Sequence, residues 1–175
     1  EVFRAIFDFG KRYPESNILI KPKKDQPSIR YLMETFPDLS RLLKDQPNIV
    51  VNPNVDLQKE IERASVAIGL NTTAILEAGL FGKRIIVPFF KQYRNSEWSE
   101  RFGFKGNLDA FDVPADGQEL LQMLVDSKEA PWAPAEQVSQ RLALFDKWVS
   151  RLDGGATRTC LEVFESLSTR SRNQG

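Results

Sequence analysis

The chain has 175 residues, with 24 Lys and Arg balanced by 24 Asp and Glu, so its formal net charge is zero. That length supports one domain with a real core, and the balanced charge gives no electrostatic reason to bind nucleic acid or an acidic membrane surface. There is no histidine and a single cysteine, Cys160; this excludes Ser-His-Asp catalysis, histidine-based zinc sites and any disulfide within the chain, and makes a reducing compartment the expectation.

Taken in order, Val2, Ile6 and Phe9 recur at helical spacing, with Phe3 and Phe7 beside them. They predict an amphipathic helix over 1–13, ended by Tyr13-Pro14. It opens without a capping residue, as expected of a chain cut from something longer, with a strand before Glu1. Residues 17–20 are a short apolar strand leading into Lys21-Pro22-Lys23-Lys24-Asp25. A lysine cluster at the end of a parallel strand lies where such sheets bind ligands, although a solvated loop has the same composition. The stretch 28–44 has a helical pattern divided by Pro37, which predicts two short helices. A strand at 48–51 and a turn at Asn52-Pro53-Asn54 follow. Asp56 then caps a helix to about Ala64, with Leu57 and Ile61 facing inward.

The stretch 65–88, SVAIGLNTTAILEAGLFGKRIIVP, organises the chain. It reads as strand, tight turn, short helix, glycine stop and second strand, a βαβ unit in a parallel sheet. Gly82 suits the position just past a helix end, and Pro88 stops the second strand. Residues 89–106 predict an irregular loop with one helical turn near 96–102, and 108–113 a last strand. Asp116-Gly-Gln-Glu119 fits a capping box opening a helix that buries Leu120, Leu121, Leu124 and Val125. After a proline-rich break at 130–134, Val138, Leu142, Phe145, Val149 and Leu152 predict the buried stripe of a long helix. Asp153-Gly154-Gly155 turns the chain into a last helix over 157–167, with Cys160, Leu161 and Phe164 inward, and 168–175 reads as a disordered tail. The predicted class is α/β: one Rossmann-like parallel sheet of about five strands at 17–21, 48–51, 66–70, 84–89 and 108–113, flanked by helices within a single domain over 1–167. Strand 48–51 is expected at an edge and 66–70 at the centre.

The chemistry concentrates on the turn Asn71-Thr72-Thr73. The first amides of a helix have no intrahelical partner and its dipole favours an anion there. Thr72 and Thr73 add hydroxyls, and Glu77 stands one turn deeper on the face of Thr73. Together these suit a phosphate and the hydroxyls of its attached sugar. Thr is also an ordinary capping residue, and most strand–turn–helix units bind nothing. No Lys or Arg lies between Ser65 and Gly82, so a bound phosphate would draw on amides and on charges from other loops.

The succession Val55-Asp56-Leu57, Ala64 to Gly69, Asn71-Thr72-Thr73, Glu77-Ala78 and Gly82 to Pro88 resembles the nucleotide-sugar-binding C-terminal half of GT-B glycosyltransferases. The nearest likeness is to bacterial surface-polysaccharide enzymes: CDP-glycerol glycerophosphotransferases, polysialyltransferases and Kdo transferases. Those proteins pair a strand-end basic-Pro motif with a later Ser/Thr motif. Lys21-Pro22 matches the first, with lysine in place of the usual histidine, and Thr72-Thr73 the second; Asp153-Gly154 with Arg158 is similar to the closing segment. Lysine neutralises a phosphate but cannot present a neutral imidazole.

The resemblance implies half of a GT-B architecture that takes a CMP-, CDP- or UDP-type donor as substrate, with no cofactor and no metal. It assigns Thr72 and Thr73 to the donor phosphates, Glu77 to the ribose hydroxyls and Lys21 to the departing nucleotide phosphate, with Asn71 in the same donor-binding turn. Arg94, Arg101 and Lys105 are further candidates for the sugar or base. No catalytic residue is assigned, because the family's acceptor domain, with its base, precedes this half. The implied partner is therefore an N-terminal acceptor domain, and the implied location cytoplasmic, with peripheral membrane association through the full-length protein. Two other readings stay open: a non-catalytic α/β binding or interaction module, and a nucleotide-sugar epimerase-like domain.

Overall fold

A computed structural model of the chain describes residues 1–22, 30, 31, 34, 37, 39–149 and 152–172. The first helix, α1 (Val2–Arg12), buries Ala5, Ile6, Phe7, Phe9 and Gly10 and carries Lys11 and Arg12 in its last turn, where the helix dipole favours cations. Strand β1 (Ile18–Ile20) follows. Of the two helices expected over 28–44, the described parts are the helical residues Arg30, Tyr31 and Glu34, the turn at Pro37, and α2 (Leu39–Asp45); the remaining residues of that stretch, and the lysine cluster beyond Pro22, lie outside the described residues. Next come β2 (Ile49–Val51), α3 (Leu57–Arg63), β3 (Val66–Ile68), α4 (Ala74–Leu80), β4 (Arg84–Ile86) and the single turn α5 (Lys91–Arg94). Two 3₁₀ segments, Glu97–Arg101 and Lys105–Ala110, precede α6 (Gly117–Asp126), α7 (Ala135–Trp148) and α8 (Ala156–Arg172).

One expectation is overturned here. The described strands do not form a single Rossmann-like sheet of about five strands, the basis for seeing half of a GT-B architecture. They form two separate two-stranded parallel sheets, β1–β2 and β3–β4. The registers are Ile18 to Ile49 in the first and Val66 to Arg84 in the second. With no common sheet, 48–51 and 66–70 are not its edge and centre.

The physical cause is strand length. Each strand spans three residues, which leaves few ladder groups for a second neighbour. The apolar runs extend further than the pairing does. Gly69 and Leu70 leave β3 for the turn. Beyond β4, Val87 donates to the Asp112 carbonyl at 2.8 Å while Asp112 donates to Ile85 at 2.9 Å. That is one parallel bridge where 108–113 predicted a strand. The rest of that stretch is mostly 3₁₀, with Ala110 and Phe111 in the core. Side chains join the two pairs: Ile18 of β1 and Val66 and Ile68 of β3 border one apolar cluster.

That cluster is built by Ala5, Ile6 and Phe9 of α1 against Leu120 and Leu124 of α6, with Ile86 and Phe90. Each fully buried Leu or Phe contributes about 1.5–3 kcal/mol. α6 starts where the capping pattern placed it. Asp116 Oδ1 accepts from the amides of Gln118 and Glu119 at 2.9 and 3.0 Å, and Glu119 reaches back to the Ala115 amide. The opposite side of α1 puts Phe7 against Leu39 and Ile49. Asn48 ties this layer together by donating to the carbonyls of Gly10 and Ser16 at 3.1 and 3.0 Å.

The third cluster lies under α4 and α7 and holds Ile75, Leu76, Ile85, Phe102, Phe104, Phe111, Leu144 and Phe145. The buried side of α7 keeps Phe145 of the predicted stripe, with Val138 half-buried, but departs from it elsewhere. Leu142, Val149 and Leu152 are exposed, and a fully buried arginine, Arg141, stands beside Leu144 and Phe145. Its Nε donates to the Ala110 carbonyl and Nη1 to that of Lys83, both at 2.7 Å, while Nη2 donates to Gln137 Oε1 at 2.8 Å. Gln137 donates in turn to Asp112, which pairs with Arg84 at 2.8 Å. Burial pulls the Arg141 guanidinium down to about 10, against the pull of Asp112, so it stays charged at neutral pH. α7 comes close to α4 because Gly79 has no side chain; a Cβ there would lie 3.0 Å from Arg141 Cδ.

The last helix also departs from expectation. It continues to Arg172, and Cys160, Leu161 and Phe164 face solvent, Phe164 at 68% exposure. No helix among the described residues is long and apolar enough to cross a membrane.

Arg141→Met should lower stability by about 3–5 kcal/mol, because two buried carbonyls lose their donors and the Asp112 network loses its far end. Gly79→Ala should cost about 1–3 kcal/mol by pushing on the same guanidinium stem. Urea unfolding of both variants tests this; an Arg141→Met loss below about 1 kcal/mol would show that the guanidinium ties nothing.

Candidate functional site

The β3–α4 turn is built by close approach. The Gly69 amide donates to the Ile86 carbonyl at 3.2 Å, holding the strand end against β4. A Cβ on Gly69 would overlap Ile75 Cγ2 and lie 3.1 Å from Thr72 Cγ2, so glycine is what lets the first turn of α4 fold back onto the strand. At the far end Gly82, at φ 67°, takes the left-handed position past the helix, as its place in the sequence predicted.

Between them, Asn71 is the one non-glycine residue with positive φ, 53°, among those described. Asparagine tolerates this region better than most residues. Both polar atoms of its side chain are engaged. Nδ2 donates to the Arg101 carbonyl at 3.1 Å and Oδ1 accepts from the Gly103 amide at 3.0 Å.

The amides of α4 are largely used as well. Ala74 donates to Thr72 Oγ1 at 3.3 Å, Ile75 to the Thr72 carbonyl, and Leu76 and Glu77 to that of Thr73. Thr73 is the capping residue, in helical conformation, with no side-chain cap bond. Thr72 and Thr73 are themselves exposed at the turn. Glu77 is half-buried in the first turn, where a carboxylate also suits the dipole.

The structure brings Asn71, Thr72, Thr73 and Glu77 together on one turn and helix. Lys21 is exposed just beyond β1, and no hydrogen bond or ion pair joins it to that turn among the described residues. The three loop cations have separate fates. Arg94 is structural: Nε donates to the Phe89 carbonyl at 2.8 Å and Nη2 reaches those of Val113 and Pro114 at 3.5 Å. Lys105 bonds Glu100 at 2.6 Å and Ser99 at 3.2 Å, and this holds the Glu100 carboxyl below its ordinary range. Arg101 is exposed, with its backbone carbonyl on Asn71.

The loop itself is anchored from beneath. Phe102 and Phe104 are both buried, Phe102 stacks on Phe89 at 4.6 Å, and Phe104 meets Phe102 edge-on at 5.8 Å. The alternation of aromatic and charged residues over 89–106 was the signal for such a loop, but nothing in it announced the bond to Asn71. Among the described residues, no group of three or more Cys, Asp or Glu side chains is placed to hold a metal ion.

Compared with family models, with curated proteins and with solved structures, the chain matches none.

Gly69→Ala should move the first turn of α4 and lower stability by about 1–3 kcal/mol through overpacking against Ile75. Thermal unfolding measures the loss, and amide shifts confined to 66–77 would locate it; an unchanged melting temperature would mean that the turn has room to spare.

Proposed function

We propose that the chain is the donor-binding part of a glycosyltransferase, taking a pyrimidine nucleotide-activated sugar at the β3–α4 turn. The observation that carries this is the clustering of exposed threonine side chains and the Glu77 carboxylate on the turn that follows a parallel strand. Thr72 and Thr73 would meet the phosphates and Glu77 the ribose diol, where a carboxylate accepts two hydrogen bonds well. The geometry supports a reduced role for two candidates. Both polar atoms of the Asn71 side chain already hold protein partners, and Lys21 would serve only a ligand long enough to span two strand ends. Chemistry on the sugar would need an acceptor-binding partner domain. The location that suits such an enzyme is the cytoplasm, where activated nucleotide sugars would meet it.

A second reading draws on a different observation. Trp148, Val149, Leu152, Leu161 and Phe164 are all exposed around the α7–α8 connection. Apolar residues so grouped suit an interaction module whose partner covers them.

Titration with CMP, CDP and UDP separates the readings. Amide shifts should centre on 71–77, with weak affinity for this chain alone, since a single turn offers few contacts. Thr73→Ala should weaken donor binding by about 1–2 kcal/mol and Glu77→Gln by about 1.5–3 kcal/mol, each without lowering the melting temperature. Shifts that cluster away from the strand ends, or none at all, would favour the interaction module.

A further inference from the structure

The sequence gives Asn71 to the ligand; the geometry gives it another task. Its two side-chain bonds join the β3–α4 turn to a segment 30 residues away, at Arg101 and Gly103. The backbone of Asn71 is held in the left-handed region, the position from which the amide reaches both groups. The partner segment is rooted on its other side by Phe102, which is stacked on Phe89 in the core. A Cβ on Gly103 would still clear Asn71 Oδ1 at 3.5 Å, so the contact is a bidentate bond and not a tight fit.

We propose that Asn71 is a positioning residue. It latches the 97–103 segment to the turn, so that the wall carrying Arg101 and the wall carrying Thr72 and Thr73 behave as one unit. The ligand-linked half of this rests on the donor-binding reading above; the latch itself does not. Turn and segment each have a foot in the third cluster, through Ile75 and Phe102. At the surface the Asn71 side-chain amide ties them together. Losing it should therefore loosen the segment without unfolding the domain.

The test uses two variants. Asn71→Gly removes both bonds but accepts positive φ without strain, so the fold is kept. Asn71→Asp also tolerates the backbone and keeps the acceptor for Gly103, but loses the donor to Arg101. Amide hydrogen exchange at Gly103 should accelerate roughly tenfold in Asn71→Gly, the factor expected for a net loss of one to two ordinary hydrogen bonds. Asn71→Asp should exchange more slowly than Asn71→Gly at that amide, and α1 and α6 amides should be unchanged in both. Equal exchange at Gly103 in wild type and Asn71→Gly would overturn the latch.

CMP, CDP and UDP titrations then test the coupling. In wild type, shifts at Thr72 and Thr73 should be accompanied by shifts at 101–103; in Asn71→Gly the second set should be lost while the first persists. Wild-type shifts at the turn alone would overturn the coupling. No shift anywhere would defeat the donor-binding reading, and the exchange comparison would still decide the latch.

Discussion

Everything on the α4–α7 side of the molecule depends on one buried cation. Arg141 binds the carbonyl of Lys83, at the entry to β4, and that of Ala110, at the end of the second 3₁₀ segment. Those are the two places where short strands and irregular turns leave backbone acceptors with no ladder to join. A buried carbonyl without a donor costs about 1–3 kcal/mol, and one guanidinium meets two of them and still binds Gln137. Its own desolvation is offset by three bonds with planar, well-directed geometry and by Asp112 close by. A lysine could not span those directions. Side chains perform the joining that a continuous ladder would otherwise perform: Ile18 with Val66 and Ile68 between the two sheets, and Arg141 between the entry to β4 and the second 3₁₀ segment.

The same economy governs two other arginines. Arg84 is committed to Asp112, and Arg94 to the carbonyls of Phe89, Val113 and Pro114. Arg84 opens β4, and Arg94 stands in the turn that follows it. A long, flexible, always-charged donor suits an irregular acceptor, since it adjusts to the carbonyl instead of requiring the carbonyl to adjust to it. The net charge of zero conceals this: several cations are internal struts.

Local signals in the sequence were legible where the cause is local. The Asp116 cap, the Gly82 stop, the βαβ order over 65–88 and the inward face of α1 follow from neighbouring residues, and they stand in the structure. The sheet was not legible, because an apolar run sets only the greatest length a strand can have, and pairing depends on partners far away. The α7 stripe was misread for a related reason. Apolar spacing carried the stripe on to Val149 and Leu152, past the end of α7 at Trp148, and the burial of Arg141 follows the carbonyls of Lys83 and Ala110, which no periodicity records. At the turn, residue types marked a polar site, while the role of Asn71 depended on Arg101 and Gly103, which sequence spacing could not bring near.

These causes converge on the β3–α4 turn. Gly69 makes it tight, Asn71 fixes its backbone sign, and the carbonyls of Thr72 and Thr73 take the amides of α4. A helix of seven residues has little dipole to spare, and its amides are mostly paired, so an anion there would gain less from the helix than the sequence alone suggests. The weight of recognition would fall instead on hydroxyls and on the Glu77 carboxylate, which favour a ligand with a diol over a bare phosphate. A nucleotide meets that requirement through its ribose, and inorganic phosphate does not. Affinity carried by the diol would depend little on salt, whereas affinity carried by phosphate would fall as salt screens it. On the proposed donor-binding reading, the turn would therefore rely more on the sugar end of the ligand than on its phosphates.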